Sequence, residues 1–126
     1  IENVRPGDMV QTAEGPRKVT RLQTIAFEGF LYSFNGGEGF VTAAHAFMTD
    51  GGWKAFDPRQ AEKETGLGSV NTLATGDTLH RLGGEREVLS QVNVHYAKAP
   101  VYNLTVQGTH EYYADGYRVH NAYQKQ

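Results

Sequence analysis

Apolar and polar positions alternate over short runs in this chain, the period expected of β-strands with one covered face. The clearest runs are Lys18-Val19-Thr20-Arg21-Leu22, Gly29-Phe30-Leu31-Tyr32-Ser33-Phe34 and Glu87-Val88-Leu89-Ser90-Gln91-Val92-Asn93-Val94. Turn chemistry separates them at Asn35-Gly36-Gly37, Asp50-Gly51-Gly52, Gly83-Gly84 and Asp115-Gly116, where Gly and Asn or Asp tolerate left-handed backbone. One segment breaks the pattern. Pro58 to Thr65 predicts a short helix, with Asp57 as its cap, Pro58 in its first turn and Gly66 ending it left-handed. From Gly66 to Thr75 the residues are small, polar and loop-like, and this stretch divides the sequence in two.

The two parts repeat one another. Gly7-Asp8 followed by Gly15-x-Arg17-x-Val19 matches Gly76-Asp77 followed by Gly84-x-Arg86-x-Val88 in the same register. Leu31-Tyr32-Ser33-Phe34 answers Val101-Tyr102-Asn103-Leu104, and His45 through Asp50-Gly51 answers His110 through Asp115-Gly116. Four matches in the same order predict a duplicated unit, each half covering strands of its twin. The expected fold is all-β: two pseudo-twofold-related halves with one short helix in the linker. Corresponding positions in the halves then bring His45 and His110 toward one central site.

Length and composition narrow the function. The 126 residues form one domain large enough for a real core, and a net charge of −2 gives no basic footprint for nucleic acid or an anionic membrane. No apolar run reaches membrane-spanning length, Ile1-Glu2-Asn3 does not read as a signal peptide, and the lack of an initiator Met suggests a piece of something longer. The absence of cysteine excludes disulfides, thiolate metal sites and cysteine nucleophiles within these residues.

The residue types that carry chemistry lie near the end. Asn121 follows His120 directly, and His110 stands ten residues earlier. An Asn side-chain nitrogen can attack its own backbone carbonyl, close a succinimide ring and expel the downstream segment, here Ala122 to Gln126. A carboxamide is a poor nucleophile, so neighbours must position it and move its proton. Alone, each residue has a plainer reading: a single His in a β-domain is usually structural, and Thr42 suits a strand because it is β-branched. His80 and His95 are read as structural. A metal site built from His45, His110 and His120 stays open as an alternative, although no ligand-spaced motif supports it.

Taken in order, Pro6-Gly7-Asp8, Thr42-x-x-His45, Val101-Tyr102-Asn103-Leu104-Thr105-Val106, His110 and Val119-His120-Asn121 resemble the Hint domain. That superfamily comprises inteins, bacterial intein-like domains and the autoprocessing domain of hedgehog proteins. The terminal Asn points to the intein and intein-like branches. The resemblance implies a horseshoe-shaped all-β fold and single-turnover autocatalytic cleavage or splicing, with no cofactor and no metal. It implies that Thr42 and His45 assist an N-terminal acyl shift, His45 protonating the leaving amide nitrogen and Thr42 orienting the scissile amide. Asn121 is then the cyclising nucleophile at the Asn121–Ala122 junction. His120 stabilises the developing charge or protonates the departing amine of Ala122, and His110 assists the Asn121 side chain. Asn103 stands where many inteins carry an Asp; its amide cannot act as a base, and a supporting structural hydrogen bond is the expectation.

Residues 1–121 are thus expected to form an intein-like domain lacking its first, nucleophile-bearing strand, with 122–126 as a short C-terminal flanking, extein-like tail. The implied partners are an N-terminal intein fragment or strand, in cis or as a separate polypeptide of a split intein, and flanking extein sequences; neither nucleic acid nor membrane is among them. A missing strand would leave an open edge for such a peptide to join. Ala122 cannot accept an acyl group, so cleavage rather than branched splicing is expected, unless an acceptor residue was replaced there. No endonuclease insertion fits the linker. A non-catalytic Hint relic serving as an interaction module is the alternative reading, and a hydrolase acting in trans ranks last for want of a nucleophile–base pair. The sequence does not set the compartment.

Overall fold

The computed structural model describes residues 4–37, 40–121 and 124–125, the last two by backbone alone. Its strands are β1 (Met9–Thr12), β2 (Gly15–Phe34), β3 (Phe40–Thr42), β4 (Phe47–Thr49), β5 (Gly52–Ala55), β6 (Asn71–Thr72), β7 (Thr78–His80), β8 (Arg86–Val88), β9 (Val92–Val106), β10 (Glu111–Ala114), β11 (Tyr117–His120) and β12 (Gln124–Lys125). The helix α1 spans Pro58–Thr65. Among the described residues, no helix is long and apolar enough to cross a membrane.

Local chemistry explains several of these elements as expected. The Asp57 side chain accepts from the Gln60 amide, and Gly66, at φ 75°, closes the last turn by donating to Glu62 O. Asp115 and Gly116 both take positive φ, 51° and 82°, in the two-residue turn between β10 and β11. The loop-like stretch after α1 holds only β6, which pairs parallel with β5, while Val70 and Leu73 anchor it by burial.

Two expectations about strands change. The runs 18–22 and 29–34 belong to one 20-residue strand, β2. Its exposed middle lacks an alternating pattern, yet its backbone pairs antiparallel with β9 from Val19↔Val106 to Phe34↔Val92, with a bulge between Val19 and Arg21. Conversely, 87–94 is not one strand. Leu89 donates its amide to Asp77 O, and the Ser90 and Gln91 amides donate to Asn35 Oδ1, which carries the chain from β8 across to β9.

The duplication is visible in the hydrogen bonds. Gly7 donates to Val19 O, Asp8 to Arg5 O and Val19 to Asp8 O; in the second half Gly76 donates to Leu89 O, Asp77 to Ala74 O and Leu89 to Asp77 O. Asp8 Oδ2 accepts from the Arg5 amide as Asp77 Oδ2 accepts from Ala74. Gly7 and Gly76 share the same backbone, at φ 97° and 98°. This corrects the repeat register. Val19 corresponds to Leu89, not to Val88, because the turn at 81–85 carries one more residue than its counterpart. Val19 and Leu89 are each 0% exposed, whereas Val88 is 55% exposed. A one-residue slip turns a side chain to the other face of a strand, so burial identifies the true match.

Each half lends a hairpin to the other. The β4–β5 hairpin joins the second half through Thr49↔Leu79, and β10 lies against β1 of the first half. A shared core results, with Val19, Phe34 and Phe47 from one half packed with Leu89, Leu104 and Tyr112 from the other. A polar cluster ties the seam: Asn35 Nδ2 and the Tyr117 hydroxyl both donate to Glu87 Oε2, and the Arg81 guanidinium lies 4.3 Å over the Tyr117 ring. Burial and the Glu87 carboxylate push the Tyr117 hydroxyl up to about 12.

Denaturant unfolding tests the corrected register. Leu89→Ala should cost about 2–5 kcal/mol through lost burial and a cavity, while Val88→Ala should stay within about 0.5 kcal/mol. The reverse order would restore the register read from sequence.

Candidate active site

The Thr-x-x-His spacing is one turn of chain. The His45 amide donates to Thr42 O at 3.1 Å, placing the two residues at the ends of a hydrogen-bonded turn that leaves β3. Ala43 O accepts from the Asp57 amide at 2.8 Å and fixes that turn to the start of α1. Thr42 is buried and His45 is 0% exposed, with its ring 4.8 Å from that of Phe47.

The spacing between His110 and Asn121 is that of a hairpin. Glu111 pairs with His120 and Ala114 with Tyr117 across the Asp115-Gly116 turn, so the next position outward sets His110 opposite Asn121. There the Asn121 amide donates to His110 O at 2.8 Å. Thr109 Oγ1 accepts from the Glu111 amide and shapes the entry to β10. On the other side of β11, Val119 pairs with Phe47 and the His120 amide donates to Ala46 O at 3.1 Å. The turn bearing His45 and the hairpin bearing His110, His120 and Asn121 are thereby stitched together. The His110 and His120 rings stack with centroids 5.8 Å apart and planes inclined by 17°.

The electrostatics follow from burial. His45 Nδ1 and Nε2 and His120 Nδ1 are buried with no hydrogen-bond partner among the described residues. Desolvation, then repulsion from His120, pushes the His45 imidazole down to about 3. His120 is also held below the ordinary histidine value, first by burial; Asn121 and Glu111 favour its charged form, while His110 opposes it. His45 therefore stays neutral near pH 7, with one N–H to donate and one lone pair to accept. The buried rings of His45 and His120 thus favour the neutral form, in which each offers one N–H donor and one lone pair without holding a permanent charge.

Of the residues singled out from sequence, His120 is the one that joins the rest: its ring stacks on that of the exposed His110 and lies in electrostatic range of the buried His45, Asn121 follows it, and Thr42 is joined through the His45 turn. Asn103 lies on β9 opposite Gln23, and the contacts that join the histidines do not run through it. The hydrogen bond expected of Asn103 is not made by its Oδ1, which is buried without a partner among the described residues. Ala122 lies outside the described residues. His80 pairs with Asp50 Oδ1 at 2.9 Å, and His95 packs against Phe40 with centroids 4.5 Å apart. Among the described residues, no group of three or more His, Cys, Asp or Glu is arranged to hold a metal ion.

Sequence reasoning missed Trp53 and Glu111. The Trp53 ring meets His120 edge-on, with centroids 5.7 Å apart, and Glu111 lies across the strand pair from His120. A lone Trp in an alternating strand reads as core, and nothing local marks it as a partner of a histidine from the other half.

Acid unfolding should expose the buried imidazoles. His45 has a folded value below its unfolded one, so its contribution is present above about pH 6.5 and is lost as the pH falls toward about 3. His45→Gln should lower the slope of unfolding free energy between about pH 6 and 4.5 by about one proton, ~1.4 kcal/mol per pH unit. An unchanged slope would show that His45 titrates normally in the fold.

No family model and no curated protein sequence matches this chain. Solved structures do. The chain is similar to the gp41-1 intein at 18% identity and a TM-score of 0.69, over 95% of this chain and 84% of that one. It is similar to a bacterial intein-like domain from Clostridium thermocellum at 23% identity and 0.67, over 95% and 86%. A DnaB intein from Synechocystis sp. PCC 6803 aligns at 22% identity and 0.62, over 94% and 81%. Matches this long, found in a chain whose two halves repeat the same hydrogen bonds, give it the Hint-type fold of inteins and bacterial intein-like domains.

Proposed function

We propose that this chain is a self-processing domain that cleaves its own backbone after Asn121. Asn121 Nδ2 attacks the Asn121 carbonyl carbon, forming the ring C–N bond. The bond to the Ala122 nitrogen breaks, and one side-chain amide proton ends on the Ala122 amine. The products are a domain ending in a succinimide and the free peptide Ala122 to Gln126. No water is consumed until the imide hydrolyses.

One observation carries this reading. Asn121 is pinned by its amide to His110 O and stands beside two stacked imidazoles, one of them desolvated, where the two repeated halves meet. His120 is the donor to the developing charge at the Asn121 carbonyl and to the departing amine, and His110 orients the Asn121 side chain. Thr42 and His45 serve an upstream acyl shift whose nucleophile lies outside this sequence, on a strand supplied in cis or as a separate polypeptide. In that step His45 polarises the scissile amide by a hydrogen bond from its neutral ring N–H, and does not protonate the leaving nitrogen as expected from sequence, because burial keeps the ring from carrying a second proton near neutral pH.

Asn35-Gly36 provides an internal comparison, since Asn-Gly sequences also form succinimides when flexible. Here the Asn35 side chain is held throughout: Nδ2 donates to Glu87 Oε2 and Val88 O, and Oδ1 accepts from Ser90 N, Ser90 Oγ and Gln91 N.

Intact-mass spectrometry over time, with and without an added upstream segment, tests the proposal. Loss of 122–126 should appear, be abolished by Asn121→Ala and slow by about 10²-fold or more in His120→Ala, the usual worth of general acid–base assistance. Asn35 should remain unmodified. An intact junction under both conditions would favour the alternative of a non-catalytic interaction module.

A further inference from the structure

The strand β12 lies inside the sheet. Gln124 pairs with Val41 of β3 on one side and with Tyr102 of β9 on the other, and Lys125 pairs with Phe40. Since β2 pairs with both β3 and β9, β12 closes a ring of strands, β2–β3–β12–β9, back onto β2. The place where an open edge was expected for an incoming peptide is, between β3 and β9, occupied by this chain's own C-terminal backbone.

That occupancy bears on the junction. Upstream of it, the Asn121 amide is tied to His110 O; downstream, the Gln124 backbone pairs on both sides. We propose that the slot between β3 and β9 is a recognition site for the segment downstream of Asn121, and that it takes this segment by its backbone as a two-sided strand. The inference rests on the cleavage reading for its role in catalysis, but not for the docking itself.

Physical chemistry sets what such a site can select. A strand with partners along both edges must present backbone donors to each neighbour, so it rejects proline and is largely indifferent to side chains. Specificity for the leaving segment is therefore conformational: any sequence able to extend fits. The slot also reaches the upstream half of the site. Val41 precedes Thr42, and β3 is three residues long, with Leu31↔Thr42 and Tyr32↔Val41 as its pairs to β2. Docking of the tail supplies its second neighbour and so steadies the turn that carries His45. Both ends of the chemistry then depend on the leaving segment being in place.

The test uses the full chain. In an Asn121→Ala background, which blocks cleavage, amide exchange at Gln124 and Lys125 should be slowed at least about tenfold relative to an unstructured peptide, with cross-strand nuclear Overhauser contacts to Val41 and Tyr102. Exchange at the unstructured rate without those contacts overturns the proposal. In the cleaving chain, Gln124→Pro and Lys125→Pro should each slow loss of 122–126 by about tenfold or more, because a small misplacement of reacting groups costs rates of that order. Gln124→Ala and Lys125→Ala, which keep the backbone donor, should slow that loss several-fold less than the proline variants; alanine and proline variants slowed alike overturn backbone recognition. Proline variants that cleave like the parent, while the Leu22 and Leu104 amides of the β2–β9 ladder stay protected, overturn it as well. A parent chain that never cleaves sinks the autocleavage reading, and the exchange measurement still decides whether the slot binds the segment.

Discussion

The long antiparallel ladder between β2 and β9 is the constraint on which the other elements depend. Leu31 pairs with His95 and Val101 pairs with Ile25, so exchanging the two strands maps the ladder onto itself, about a centre near Glu28↔Lys98. Much of this ribbon is exposed and contributes little hydrophobic free energy; its geometry is set by backbone hydrogen bonds. At its ends it enters the core, where Phe34 and Leu104 pack, and there each strand delivers its half of the molecule to the other. The hairpins β4–β5 and β10–β11 then meet at β4–β11, which brings His45 within range of His120.

Assembling the site by this route has an electrostatic consequence. Two histidines from different halves are buried close together, and neither can easily hold a charge while the other does. Burial dominates both shifts, and repulsion between imidazoles adds to it. The His45 nitrogens have no hydrogen-bond partner among the described residues, and a desolvated polar atom left in that state is destabilising by about 1–3 kcal/mol. The rest of the fold offsets this cost with an apolar core drawn from both halves. Strain of this kind is concentrated where a reacting amide would sit, and the polar seam at Asn35, Glu87, Arg81 and Tyr117 is by contrast well satisfied.

The same two Asn side chains show how tertiary context separates equal chemistry. Asn35 precedes a glycine and is intrinsically the more prone to cyclise, yet its oxygen and nitrogen are both engaged by residues 87–91. Asn121 instead engages the neighbouring His120 imidazole, whose charged form it favours by hydrogen bonding. The difference is one of environment, created by segments distant in sequence.

What the sequence determined by itself was local or repeated. The helix from Pro58 to Thr65 with its caps and the Asp115-Gly116 turn depend on neighbours within a few residues, where propensity and turn chemistry act, and the duplication is written in the repeated motifs. The resemblance to Hint domains was legible for the same reason, since its motifs are short and ordered. Only the tertiary structure decided the continuity of β2, the match of Val19 with Leu89, the approach of Trp53 to His120 and the place of β12 between β3 and β9. Each of these depends on which backbone lies across the sheet or which side chain loses its water. Those are properties of the assembled fold, because hydrogen-bond partners and desolvation come from residues far apart along the chain.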